Sequence, residues 1–135
     1  MKKNTPHYYH LCILEKYKKM GYTAKDIRQR YMQLLNEKKP FFLDKNYSII
    51  QFAADLGTNR SYASKFVNEE LGVKFPYLLN SLRLAHFVKL KSENPQARIS
   101  TLADHCGFNC TLSFRRAFVK RYGVNASDYF KKQNL

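Results

Sequence analysis

The chain contains an internal repeat with a period of about 50 residues, and this repeat limits the possible folds more than any other feature. Residues 49–57 correspond to residues 99–107 at an offset of 50, which aligns Ile49, Phe52, Ala53, Leu56 and Gly57 with Ile99, Leu102, Ala103, Cys106 and Gly107. Beyond the turn the offset is 51, and it pairs Ala63, Phe66, Val67, Leu71, Gly72 and Val73 with Phe114, Ala117, Phe118, Tyr122, Gly123 and Val124. The second copy therefore has one additional residue in its turn.

Each copy of the repeat has the pattern of a short helix, a tight glycine turn and a longer helix. An alanine (Ala53 or Ala103) permits the close approach of two steeply crossed helices, and a glycine (Gly57 or Gly107) permits a left-handed turn. One Ala-x-x-x-Gly arises often by chance, whereas two copies with matching apolar positions indicate two helix-turn-helix motifs. The alternative is an array of helical hairpins that binds no DNA, because the same geometry occurs in folds without that function.

The charge balance indicates the class of partner. The chain has 24 Lys and Arg against 10 Asp and Glu, a formal net charge of +14, which favours either nucleic acid or an anionic membrane surface. No apolar run approaches the roughly 20 residues that span a bilayer, and no apolar signal core follows the N-terminal lysines. We therefore expect a cytoplasmic protein, located at the nucleoid if it binds DNA, in which the free thiols are Cys12, Cys106 and Cys110.

Apolar residues recur at helical spacing and no strand-like alternation competes with them, so the predicted fold is all-α. An N-terminal helix follows from the spacing of Tyr9, Ile13, Tyr17 and Met20. Thr23 is predicted to cap a helix that runs to about Lys39, where Pro40 stops it. The next helix should start at Ser48 and end at Gly57, and the one after it should start at Thr58, Asn59 or Ser61 and end at Gly72. Pro76 opens a long helix that ends before Asn94. In the last part of the chain, a helix runs from Ser100 to Gly107, a further helix ends at Gly123, and Ser127 caps the final one.

The sequence offers no pattern typical of a catalytic, metal or cofactor site. His7, His10 and Cys12 lie close together, but structural zinc needs four ligands and no second pair follows at zinc-finger spacing. His86 and His105 have no nucleophile or paired carboxylate at a useful spacing, and the chain has no glycine-rich phosphate loop. We therefore predict no enzyme activity, no bound metal and no cofactor.

Three segments resemble the DNA-binding domain of AraC-type transcription regulators, and together they extend over about residues 31–132. They are IIQFAADLGTNRSYASKFVNEELG at 49–72, FPYLLNSLRLAHFVKL at 75–90, and residues 99–130, which include Gly107 and Phe108 and the run FRRAF at 114–118. The chain departs from the family pattern at four positions, where Leu, Ala, Pro and Arg are usual and this sequence has Ala63, Phe87, Ala126 and Phe130.

The resemblance implies seven helices, arranged as two helix-turn-helix subdomains joined by one long helix. It also implies that the third and sixth helices of a monomeric unit enter adjacent major grooves and read two half-sites about one helical turn apart. We accordingly divide the chain into an N-terminal basic and aromatic helical extension (1–22), a first subdomain (23–74), a linker helix (75–94) and a second subdomain (95–135). Arg83 is expected to brace the two modules rather than to read bases, and residues 1–22 are a candidate dimerisation arm.

Helical spacing selects the side chains that face DNA. In the first motif Ala63, Phe66 and Val67 must face the core, which turns outward Asn59, Arg60, Ser61, Ser64 and Lys65. In the second motif Phe114, Ala117 and Phe118 face inward, which exposes Thr111, Leu112, Ser113, Arg115 and Arg116. The resemblance makes the base-facing candidates Ser61, Ser64, Lys65 and Arg116.

The residue types suggest individual roles. Arg116 can donate two hydrogen bonds to guanine, worth about 1–3 kcal/mol of discrimination, and Leu112 can contact a thymine methyl group. Asn59 can cap a helix or bond a phosphate. The alternative for Arg115 and Arg116 is a cation that serves only phosphate, because phosphate contacts outnumber base contacts.

These observations lead to one hypothesis and one alternative. The hypothesis is a sequence-specific regulator of transcription that binds double-stranded DNA and recruits or blocks RNA polymerase. The alternative is a basic helical interaction module that binds protein or RNA without sequence-specific readout of DNA.

Overall fold

In the computed structural model of the protein, residues 24–133 are the ones whose structure is described here, and they contain seven α-helices and no β-strand. The helices are α1 (Ala24–Leu35), α2 (Ile49–Leu56), α3 (Arg60–Lys65), α4 (Phe75–Glu93), α5 (Ile99–His105), α6 (Thr111–Tyr122) and α7 (Ala126–Gln133). A 3-10 turn forms at Phe41–Leu43, and α3 continues as a π-helical turn at Phe66–Glu70. The all-α prediction is confirmed, whereas the helix predicted between Tyr9 and Met20 lies outside the described residues.

The described residues form two compact units. The first unit contains residues 24–41 and 47–75, and the second contains residues 42–46 and 76–133. Each unit holds one helix-turn-helix motif, α2 with α3 in the first and α5 with α6 in the second. The division of the chain at residues 22, 74 and 94 stays a prediction.

The helix boundaries of the first motif follow from local hydrogen bonds. Ser48 and Gln51 form a capping box, because the Gln51 backbone N–H donates to Ser48 Oγ (3.3 Å) and the Ser48 N–H donates to Gln51 Oε1 (2.8 Å). Gly57 ends α2 in the left-handed conformation with φ of 74°. Asn59 is the residue that caps α3, since its Oδ1 accepts from the Tyr62 N–H at 2.9 Å.

The core of the first unit is built around Phe52, which is completely buried. Its ring lies 6.0 Å from Tyr31 of α1, 5.6 Å from Phe41 and 5.2 Å from Phe75. These separations are typical of favourable aromatic pairs. Ala63 of α3 is also fully buried, so this motif places a small side chain in its core where the family usually has leucine.

The core of the second unit is aromatic too. Phe87 of α4 is fully buried and lies 4.6 Å from Phe114 and 6.1 Å from Phe118 of α6, measured between ring centroids. The ring of Phe130 of α7 lies 5.9 Å from that of Phe87. Two of the four departures from the family pattern are therefore in contact with each other.

Three predicted helix ends were wrong. Helix α1 ends at Leu35 rather than at about Lys39. The Asn36 side chain donates to the Met32 carbonyl (3.1 Å), and the backbone N–H of Asn36 donates to the Gln33 carbonyl, which closes a tighter turn than that of an α-helix. Ser100 does not open α5: Arg98 is the cap and has no capping side-chain bond. Ser127 does not cap α7, since the Asp128 N–H donates to Asn125 Oδ1 at 2.8 Å.

The buried Arg83 ties α4 to the loop at residues 42–46, which belongs to the same unit. Its Nε donates to the carbonyl of Phe42 (2.7 Å) and its Nη2 donates to the carbonyl of Asp44 (2.9 Å). Burial lowers the pKa of Arg83, and the Asp44 carboxylate opposes that shift. Gly107 lies against this tie, because a Cβ there would be 2.5 Å from the Phe42 carbonyl oxygen and 2.8 Å from Arg83 Nε.

We therefore expect Gly107→Ala to destabilise the protein far more than Gly123→Ala. Both glycines have a positive φ, 92° and 79°, so both alanine variants meet the backbone penalty of about 1–2 kcal/mol. Only the Gly107 variant also collides with neighbours, since nothing lies within 4 Å of a Cβ at Gly123. The added loss in the free energy of unfolding should be about 2 kcal/mol or more.

Urea unfolding followed by circular dichroism measures the difference between the two variants. Equal losses for both would show that the close approach at Gly107 has no energetic consequence.

Candidate nucleic-acid interface

The second helix of each motif, α3 or α6, is its candidate recognition helix, and α6 presents one polar and cationic side to solvent. Phe114 and Phe118 are buried on its other side, at 2% and 0% exposure. All five predicted contact residues of this helix are exposed: Thr111, Leu112, Ser113, Arg115 and Arg116. Leu112, at 53% exposure, is a large apolar side chain left in solvent at the start of a helix.

The exposed side of α6 extends beyond the predicted residues. Val119 is 43% exposed and lies seven positions after Leu112, which is the spacing of one helix face. Lys120 and Arg121 are exposed in the last turn. The Lys120 ammonium lies 5.8 Å from the centre of the ring of Tyr77, a half-exposed side chain of α4. The spacing from Leu112 would have found Val119, but nothing local in the sequence signals Tyr77.

The first recognition helix, α3, presents fewer cationic side chains to solvent than α6 does. Arg60, Ser61 and Lys65 are exposed, and Ser64 is half-buried. Asn59 is half-buried and uses its oxygen to cap the helix, while its Nδ2 is buried and has no hydrogen-bond partner among the described residues. Asn59 therefore stabilises the start of α3 directly through its oxygen, and its bond to a phosphate stays a prediction.

The two units differ in charge. Residues 24–41 and 47–75 contain eight basic and five acidic side chains, whereas residues 42–46 and 76–133 contain eleven basic and four acidic ones. One of those four acids, Asp104, is paired with Lys45, and this hydrogen bond holds the pKa of Asp104 below its ordinary value. Within residues 24–133, neither Arg115 nor Arg116 forms an ion pair. The cationic side of α6 is thus available to an external anion.

A protein-family model described as a helix-turn-helix domain matches residues 52–132, which is more than half of the chain. This match covers the first motif from Phe52 onward, the whole of the second motif, and all ten predicted contact residues. The chain belongs to the AraC-type helix-turn-helix family. Members of this family are DNA-binding regulators of transcription, so the AraC-type domain described here is a DNA-binding module.

Solved structures share the fold of this AraC-type domain. The C-terminal domain of AraT, a response regulator from Geobacillus stearothermophilus, is 22% identical with a TM-score of 0.66, over 79% of this chain and 84% of that one. A protein of unknown function from Listeria innocua is 22% identical with a TM-score of 0.64, over 78% of this chain and 95% of that one. No curated protein matches the chain.

The described part of the AraC-type domain contains neither a cluster of metal-ligating side chains nor a membrane-spanning helix. Among residues 24–133, no group of three or more His, Cys, Asp or Glu side chains is placed to hold a metal ion. His7, His10 and Cys12 lie outside the described residues. None of the described helices is long and apolar enough to cross a lipid bilayer.

Two cysteines flank the turn of the second motif in opposite environments, and both are free thiols as predicted. Cys106 is fully buried, and desolvation raises the pKa of its thiol to about 12. Cys110 is exposed at the N-cap of α6, with its Sγ 3.2 Å from Ser113 Oγ. The hydrogen bonds with Ser113 lower the pKa of Cys110, and the charge of Arg116 adds to this shift.

We expect iodoacetamide to alkylate Cys110 at least about tenfold faster than Cys106 in the folded protein at pH 7.5, because only the thiolate reacts. Since the pKa of Cys110 is lowered, its rate should level off at a lower pH than that of an ordinary thiol. Ser113→Ala should raise that pKa and slow the reaction at pH 7.5. Mass spectrometry of the tryptic peptides measures each rate, and unfolding the protein in guanidinium should remove the difference. Similar rates in the folded protein would contradict these environments.

Proposed function

We propose that this domain binds double-stranded DNA sequence-specifically, with α3 and α6 each inserted into a major groove of one duplex. The observation that carries the proposal is the exposed side of α6, where two arginines without ion pairs among the described residues accompany the apolar Leu112. A major groove admits one α-helix, and its base edges present hydrogen-bond acceptors and thymine methyl groups to such side chains. Groove insertion at adjacent turns would give two half-sites.

The proposed roles follow from side-chain chemistry and position. Arg116 reads guanine through its two parallel donors, and Leu112 contacts a thymine methyl group. Arg115 binds phosphate, with help from the hydroxyl groups of Thr111 and Ser113. In the first motif the base-facing side chains are Ser61, Ser64 and Lys65, and Arg60 lies beside them.

The setting of this activity is also part of the proposal. The domain acts at promoters in the nucleoid, where its position on DNA recruits or blocks RNA polymerase. It binds as a monomeric unit, and residues 1–22 are the candidate segment through which two such units would associate. Sedimentation of the full chain with and without a duplex tests the stoichiometry.

The direct test is selection from a pool of random duplexes by the full chain, at about 0.15 M salt. We expect one enriched motif with two half-sites. Retention that falls with salt and enriches no motif would overturn sequence-specific binding and favour the basic interaction module instead.

Arg116→Ala should relax the preference at one position of one half-site and weaken binding about five- to 150-fold, the equivalent of 1–3 kcal/mol for a bidentate pair. Arg116→Lys keeps the charge but cannot donate the two parallel bonds, so it should recover affinity for random duplex without recovering the preference. Lys89→Ala, which removes an exposed cation of α4, is the control for net charge. An alanine variant that loses affinity but keeps the full preference would show that Arg116 contacts phosphate only.

A further inference from the structure

We propose that the two motifs bind DNA with unequal strength, because an acidic pair at the end of the first recognition helix repels the phosphate backbone where a basic pair in the second attracts it. The acidic pair is Glu69 and Glu70, and the basic pair is Lys120 and Arg121. This inference rests on the proposed function and assigns each motif its share of that binding.

The two pairs occupy equivalent positions. The offset of 51 that relates the apolar residues of the two recognition helices places Glu69 on Lys120 and Glu70 on Arg121. All four side chains are exposed. Residues 60–70 carry two basic and two acidic side chains, whereas residues 111–122 carry four basic side chains and no acidic one. The charges that face solvent thus cancel along one recognition helix and add along the other.

Helix stability does not account for the acidic pair. The carboxyl end of a helix carries a partial negative charge, which favours Lys120 and Arg121 and disfavours Glu69 and Glu70. The backbone at the acidic pair is also less regular, since Phe66–Glu70 is π-helical and the Leu71 N–H bonds to the Phe66 carbonyl at 3.3 Å. Because acidic side chains at this end of the helix are unfavourable for the helix itself, Glu69 and Glu70 are consistent with a role in DNA binding.

The acidic pair also neutralises one cation of the first unit, Arg28. Glu70 Oε2 accepts a hydrogen bond from Arg28 Nη2 of α1 at 3.0 Å, in an exposed ion pair. Glu69 is exposed and forms no ion pair or hydrogen bond with the described residues. On the second unit, Lys120 is steadied over the Tyr77 ring.

The consequence is a division of work between the motifs. Phosphate neutralisation releases counterions and supplies most of the affinity that does not depend on sequence. The second motif provides this anchoring along its whole recognition helix. The first motif contacts DNA through its first turns, Arg60 to Lys65, and contributes the smaller share of the affinity.

The test measures the affinity of the full chain for a mixed-sequence 30-bp duplex across a salt series. Glu69→Gln leaves the Arg28–Glu70 pair intact, and we expect it to tighten binding about two- to fivefold at 0.1 M salt. The exchange Glu69→Lys with Glu70→Arg should tighten binding about tenfold or more and steepen the salt slope by about one to two. The neutralised pair Lys120→Gln with Arg121→Gln should weaken binding by about tenfold and flatten the slope similarly.

Glu93→Gln is the matched control, because Glu93 is an exposed acid at the carboxyl end of α4 and its removal changes net charge equally. Melting curves confirm that each variant is folded. An effect of Glu69→Gln no larger than that of Glu93→Gln, while the wild-type chain binds, overturns this inference alone. A wild-type chain that does not retain the duplex even at 50 mM salt overturns the proposed function, and this inference with it.

Discussion

The burial of one apolar side of each recognition helix is the constraint on which the rest of the structure depends. In α6 the side chains of Phe114 and Phe118, four residues apart, both lie in the core of the second unit. A helix with two such neighbouring side chains buried has a single orientation about its axis, so its opposite side must face solvent. In the first motif, the buried Ala63 and Val67 fix the rotation of the recognition helix about its own axis in the same way. The exposed side is therefore free to change its chemistry while the packing beneath it stays constant.

The features that the sequence predicted correctly depend on residues that are close together in the chain. The repeat located both glycine turns, and Ser48 was correctly predicted to cap α2. The starts of α5 and α7 were predicted incorrectly for one reason. A nearby serine was expected to be the cap, although serine is not the residue at the capping position of either helix. The offset of 50 aligns Arg98 with Ser48, so the repeat itself indicated the observed start of α5. That the ten predicted contact residues bind DNA remains a prediction.

Other features could not be predicted, because they join distant residues or have no local pattern. The hydrogen bond from Arg83 to Phe42 joins positions 41 residues apart. The π-helical turn follows α3 although its apolar residues keep the spacing of the regular α6. The contact between Phe87 and Phe130 explains two departures from the family pattern together, since the larger ring on α4 packs against a ring on α7 where arginine is usual.

Because Arg83 binds the loop at residues 42–46, the second unit is built from two separate stretches of the chain. The second unit takes five of its residues, 42–46, from a stretch that precedes the whole helix-turn-helix of the first unit. A fragment that begins at Pro76 would contain α5, α6 and α7 but would lack the two carbonyl groups that accept from the buried guanidinium. An uncompensated buried charge is among the most unfavourable features a protein interior can hold. Recombination or truncation just before Pro76 would thus leave the second unit without residues 42–46, so the two motifs should persist together in one continuous chain.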